Sequence, residues 1–354
     1  MTARISLLLP VLMLSCISVS ADSYRFDYQK NIDISDKAEL VVINPVGKIE
    51  IRGDQSPMIS ISAVKNVRAA DQAEAEKMAE LIEIKVNKSG GKVTIKTDYL
   101  KRTDRSKSFW EKLFGGGSDS FGSVDFLITV PHQCRIDAKN TSGDISVSDV
   151  VGNIIILGTS GNQRLENIEG DVNLSAISGG ISLYGIKGQI EVETASSDME
   201  MGSIIGRIDI HSTSGSKKGD DISGMVTIAQ TSGTVTLNRL NGDLRIKSTS
   251  GDIAIGQEEG SINILSHSGR VEIGTELVSD RDYYVETTTG DILFKVPEVS
   301  SGSVRLETIS GEISAEIPMS VKASSDKKLT GSFGKGGPLI ALITSSGDVR
   351  LEQY

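Results

Sequence analysis

The chain has 354 residues, a net charge of −10, and only 4% aromatic residues against 38% hydrophobic ones. Its core must therefore be built from aliphatic layers without large ring anchors. The charge is spread along the chain with no concentrated basic surface, which argues against nucleic acid as a partner. With 37 glycines and 7 prolines, glycine turns should be many and rigid linkers few.

Residues 1–21 read as a secretory leader. Arg4 supplies the positive start, ISLLLPVLML the apolar stretch, and SVSA a small-residue cleavage site before Asp22. Cys16 offers a second site, because MLSC resembles a bacterial lipoprotein box with Met13 where leucine is usual. Cleavage before Cys16 gives a lipidated, membrane-attached protein. Cleavage before Asp22 gives a soluble exported one with Cys134 as its single thiol, which excludes an intramolecular disulfide. Cys134 follows an apolar strand and reads as a structural thiol.

Residues 22–124 read as an N-terminal strand and helix segment that caps a larger body. LVVINPVGKIEIRG, MISISAV, KVTIKT and VDFLITVP have strand patterning, and AADQAEAEKMAELIEI is rich in helix formers. Between the last two strands lies KRTDRSKSFWEKLFGGGSDSFG, residues 101–122. Its Arg102, Arg105, Lys107, Phe109, Trp110 and Phe114 make a basic-aromatic loop suited to contact a partner protein, a glycan or a membrane.

Residues 125–354 carry a repeat. Gly143, Gly161, Gly179, Ser197 (in place of glycine), Gly215, Gly233, Gly251 and Gly269 follow one another at steps of 18. Halfway between them stand Gly152, Gly170, Gly188, Gly206, Gly224, Gly242 and Gly260. Two and four residues after each midway glycine come aliphatic pairs, from Ile154/Ile156 to Ile262/Ile264, with mostly polar residues between them. Period-two alternation closed by glycine turns makes each half-repeat a short strand with one buried face. Such strands bury their apolar side only by stacking, so the fold class is all-β, a β-solenoid of 18-residue coils with two strands each. About eleven coils at roughly 4.8 Å give a rod roughly 50 Å long. Beyond Gly269 the spacing lengthens to Gly290 and Gly311, and TSSGDVRLE restores the phrase at Gly347.

The serine before each main glycine, from Ser142 to Ser268, reads as a turn residue hydrogen-bonding nearby backbone N–H groups. A nucleophile is not needed eight times, and no paired base follows it. One coil departs from the pattern: after Gly215 the two inward slots hold Lys217 and Gly219. A buried lysine is costly, so this strand is expected to bulge outward. Asp220 and Asp221, and His211 beside Glu193 on the preceding coil, are possible cation ligands. The residues that follow the repeat glycines vary too much for a calcium-binding nonapeptide array. No nucleotide, zinc or dinucleotide motif and no carboxylate pair suited to glycoside hydrolysis stands out, so no cofactor and no enzymatic activity are expected.

With the repeat laid out, NPVGKIEIRG at 44–53, VDFLITVP, NTSGDISV, STSGDIAI and LIALITSSGDVRLEQ resemble a bacterial "putative adhesin" family of unknown function. They also look related to auto-transporter adhesin head domains. The resemblance implies an exported envelope or surface protein with an adhesive or scaffolding role, and it offers no catalytic residues to transfer. The partner would be a protein or glycan of the cell envelope. An envelope-stress accessory protein acting through residues 101–122, and more remotely a glycan-processing enzyme, are the other readings.

Overall fold

The computed structural model describes residues 22–34, 37–100 and 122–354. Among these, one helix and thirty-one strands form two sheets, a first of fifteen strands and a second of sixteen. Successive strands alternate between the sheets, so each 18-residue repeat makes one coil of a β-solenoid. The strand Ile253–Glu259 lies in the first sheet and Ile262–Ser268 in the second, each parallel to the strands one coil away. All fourteen aliphatics of the midway pairs point inward, none more than 2% exposed. At about 1.5–3 kcal/mol each, their burial supports the rod without aromatic anchors.

The glycine phrase is fully used by this backbone. Gly251 has φ +115°, and a Cβ there would sit 2.1 Å from the carbonyl oxygen of Gly233 in the preceding coil. Gly251→Ala is therefore expected to cost at least about 2 kcal/mol. Gly274→Ala, in a strand with nothing within 4 Å of the added carbon, should be neutral or slightly stabilising. Urea midpoints of the two variants test this, and equal shifts would refute it. The serine before the glycine does not bond to N–H groups as the sequence suggested. Ser250 Oγ donates to Thr231 O at 3.4 Å and Ser268 Oγ to Thr249 O at 3.2 Å, sewing each coil to the one before. The aspartate after the glycine works in the other direction: Asp252 Oδ1 accepts from Arg270 N at 2.9 Å, one coil on.

Lys217 corrects another expectation. Its strand, Lys217–Ser223, stays in register with both neighbours, and the side chain is fully buried between Met199 and Val235. The reason lies at the turn, whose carbonyls face inward and need donors. Lys217 Nζ donates to Gly215 O at 2.8 Å, as Gln163 Nε2 does to Gly161 O and Asn140 Nδ2 to Gly47 O. Burial pulls the ammonium pKa down to about 8, with Asp198 opposing. A lysine here is tolerated because the corner is polar. Gly219 leaves room for Leu237 and Ile222, whose methyls lie 2.6 and 2.8 Å from where its Cβ would be.

A backbone kink does exist in this coil, but every neighbouring coil shares it. Asp149, Asn167, Gly185, Ser203, Asp221 and Arg239 all have φ between 48° and 64° and recur at steps of 18. This left-handed column resets the alternation, so inward residues fall at Val235, Leu237 and Leu240. It stops at Ile253–Glu259, where plain alternation returns and the pairing with the previous strand shifts.

Both ends depart from simple stacking. Ala38–Val46 and Ile49–Asp54 already form a coil, paired in parallel with Cys134–Ser142 and Ile145–Val151. On one sheet this coil is covered by Gly122–Pro131, Met58–Ala69 and Asp22–Asp33, and on the other by the hairpin Ile82–Ser89/Lys92–Tyr99. Asp22–Asp33 is a strand that its sequence did not announce; its Tyr24, Phe26 and Tyr28 lean on the core. The expected helix spans Gln72–Glu80, capped by Asp71, which accepts from Glu74 N at 2.8 Å. At the far end the coils leave chain order. The last strands, Leu339–Ser346 and Val349–Gln353, insert between Tyr283–Thr289/Ile292–Val296 and Gly302–Ser310/Ile313–Glu316. Gly347 thus stacks on Gly290, and Gly311 on Gly347.

Candidate binding face

With serine, glycine and aspartate committed to the turns, specific recognition is left to outward side chains. On the first sheet these largely neutralise one another: Arg164 pairs with Glu166 at 2.9 Å, Lys295 with Glu272 at 2.8 Å, and Arg52 with Glu50. The second sheet has ion pairs of its own, Lys139 with Asp137 at 3.5 Å and Arg305 with Glu307 at 2.9 Å. Its outer face presents three columns, one residue per coil, because parallel in-register pairing puts every eighteenth residue on the same line.

Along this face lies an open groove of about 820 Å³, lined among others by Glu193, His211, Ala229 and Lys247 of one column and Thr213, Thr231 and Thr249 of the next. Glu191, Glu193 and Asp209 lie on one side of the small strand Val226–Gln230, and Arg245 and Lys247 on the other. Arg207 bonds Asp209 through two nitrogens, at 2.6 and 3.2 Å, and holds that carboxyl below its usual range. Glu193, Arg245 and Lys247 enter no salt bridge among the described residues. The face can offer carboxylate, imidazole, ammonium and hydroxyl groups across its width.

His211 and Glu193 stand side by side in register, as the spacing indicated. They do not converge into a metal cage: among the described residues no group of three or more His, Cys, Asp or Glu could hold an ion. Asp220 and Asp221 turn to different partners, Arg239 and Ser203. Cys134 is buried, and burial pushes its thiol up to about 12, which leaves it inert as a nucleophile. Arg102, Arg105, Lys107, Phe109, Trp110 and Phe114 lie outside the described residues, as do Cys16 and the rest of residues 1–21. The sequence pointed to outward positions in general, but not to Glu193, Arg245 and Lys247 standing without a salt bridge on either side of Val226–Gln230.

No curated protein matches the chain. Among solved structures, a putative cell adhesion protein from Clostridium sporogenes is 9% identical, with 94% of this chain and 100% of that one covered at a TM-score of 0.24. A putative adhesin from Parabacteroides distasonis is 10% identical, covering 93% and 97% at a TM-score of 0.29. A putative lipid binding protein from the same organism is 13% identical, covering 93% and 96% at 0.29. The family model described as Toastrack DUF4097 matches residues 46–352, from the first coil to the last inserted strand, and the protein belongs to that family.

Proposed function

We propose that the protein is a non-enzymatic, exported envelope or surface protein whose solenoid presents the outer face of the second sheet for adhesion or scaffolding. The supporting observation is the division of labour in the repeat. Its recurrent Ser, Gly and Asp are consumed by coil-to-coil bonding, while Glu193 and Lys247 remain exposed with no salt bridge on an open groove. Groups that could carry chemistry are spread along columns and do not converge on one reacting centre, which suits a surface that binds. The leader-like residues 1–21 support export.

Envelope fractionation, with mass spectrometry of the mature N-terminus, tests export and separates a start at Cys16 from one at Asp22. The basic-aromatic composition of residues 101–122 favours a second reading, contact with an envelope protein through that loop. Deleting 104–119 is expected to lower recovery of a cross-linked envelope partner at least about tenfold if the loop carries the contact. Unchanged recovery would remove that reading and leave the second-sheet face as the presenting surface.

A further inference from the structure

The N-terminal end of the solenoid packs less tightly than its coils. Asp22–Asp33 is the outermost strand of the first sheet and Ile82–Ser89 that of the second, so each has one unpaired edge. Apolar side chains of the kind buried along the rod are only partly buried here: Tyr24, Phe26 and Tyr28 on the first strand, Ile84 and Val86 on the other. The helix Gln72–Glu80 lies on Met58–Ala69 and touches both edge strands without covering them. Its solvent side is acidic, with Asp71, Glu76 and Glu80 against Lys77 alone. Residues 101–121 begin and end at this same corner. Leu100 N donates to Leu81 O at 2.8 Å, and Gly122 lies against the adjacent Ile82, whose Cδ1 a Cβ would meet at 3.0 Å. Val67 pairs with Gly122 on one side and with Tyr24 on the other, so Tyr24 stands two strand spacings, about 9.6 Å, from Gly122.

We propose that Tyr24, Phe26 and Tyr28 form the docking site of the chain's own residues 101–121, which complete the cap. Three features of the chain select this occupant. Its reach is ample, since an extended chain covers roughly 3.3 Å per residue and both ends of the segment start beside the site. Its Phe109, Trp110 and Phe114 supply large rings for the half-open aromatic stripe, where ring pairs gain from edge-to-face packing. Its charge is complementary: from Lys101 to Leu113 it carries five basic and two acidic residues, opposite the acidic side of the helix. That acidic side repels an anionic bilayer, the other surface suited to exposed aromatics. The docked segment covers apolar surface that a solenoid end otherwise leaves to solvent. The inference is independent of which sheet face presents to a partner.

Trp110 is the only tryptophan of the chain, so its fluorescence in the full-length protein reads the docking directly. Its emission should lie to the blue of that of the urea-unfolded chain, and acrylamide should quench it at least about threefold less readily. Phe26→Ser/Tyr28→Ser should move both readings to the unfolded values while circular dichroism shows the rod still folded. A second set of variants leaves the packing of the strand untouched. Glu76→Lys/Glu80→Lys, at exposed positions, should expose Trp110, and adding Arg102→Glu/Arg105→Glu should shield it again. Emission of the unaltered protein that matches the unfolded chain, or shielding that neither set of variants changes, would overturn the proposal. So would shielding that appears only on adding phosphatidylglycerol vesicles or envelope extract, which would assign the segment to a lipid surface or to an external partner.

Discussion

Replacing Ile262 by Asp is expected to cost more than about 4 kcal/mol, whereas the same carboxylate one residue on, in Asn263→Asp, should change stability by no more than about 0.5 kcal/mol. Ile262 is 1% exposed and stacked in register between Leu244 and Tyr283, with Asn263 beside it facing solvent. The substitution loses about 1.5–3 kcal/mol of apolar burial and adds a carboxylate with no partner in an aliphatic ladder. Coils contact only their neighbours, so the damage should centre on the adjacent coils and be visible as lost amide protection there. Denaturant midpoints of the two variants measure the contrast. Similar shifts would mean that the strand faces the other way.

Lys217→Met should raise stability at neutral pH and lower it at high pH, so that the two stability curves cross. The folded pKa of about 8 lies below the unfolded value of 10.5. Below pH 8 both states hold the proton, and the folded state carries the full burden of a buried ammonium, about 3 kcal/mol from the difference of the two values. Between about pH 8 and 10.5 the folded state has released its proton while the unfolded state keeps it. The unaltered protein therefore gains stability as pH rises through this window. Methionine fills similar space without the charge but leaves Gly215 O without the Nζ donor, forfeiting about 1–2 kcal/mol at every pH. The net expectation is a gain of about 1–2 kcal/mol at pH 7 and a loss of similar size above pH 10.5. A difference between the two proteins that stays flat with pH would show that Lys217 is not buried as a titrating group.

Both predictions grow from register, and register was legible in the amino-acid order. A step of 18 with aliphatics two and four residues past each midway glycine fixes which side chains stack. Ile262 and Ile264 fall in the interior on that basis, and both are buried. The outward position of Asn263 and the pairing of His211 with Glu193 followed from the same spacing. What spacing misjudged was the cost of Lys217. Its inward slot looked forbidden because the donor-hungry carbonyls of the turn corner belong to the assembled coil and not to any local pattern. The left-handed column from Asp149 to Arg239 was equally hidden, since Asp, Asn, Gly, Ser and Arg share no local signature.

The sequence by itself therefore determined the coil: its length, its buried face and the positions of its glycine turns, all set by interactions within or between adjacent repeats. Only the tertiary structure decided the order of the coils at the C-terminal end. Strand edges left open by earlier coils accept the last strands between them, and no periodicity specifies which edge is filled. That choice shapes the candidate surface. With the strands in chain order, Glu307 would lie beside Glu286. The insertion of Leu339–Ser346 ahead of Gly302–Ser310 places Ile343 beside Glu286 on the outer face, because position along a stacked face depends on pairing and not on place in the chain.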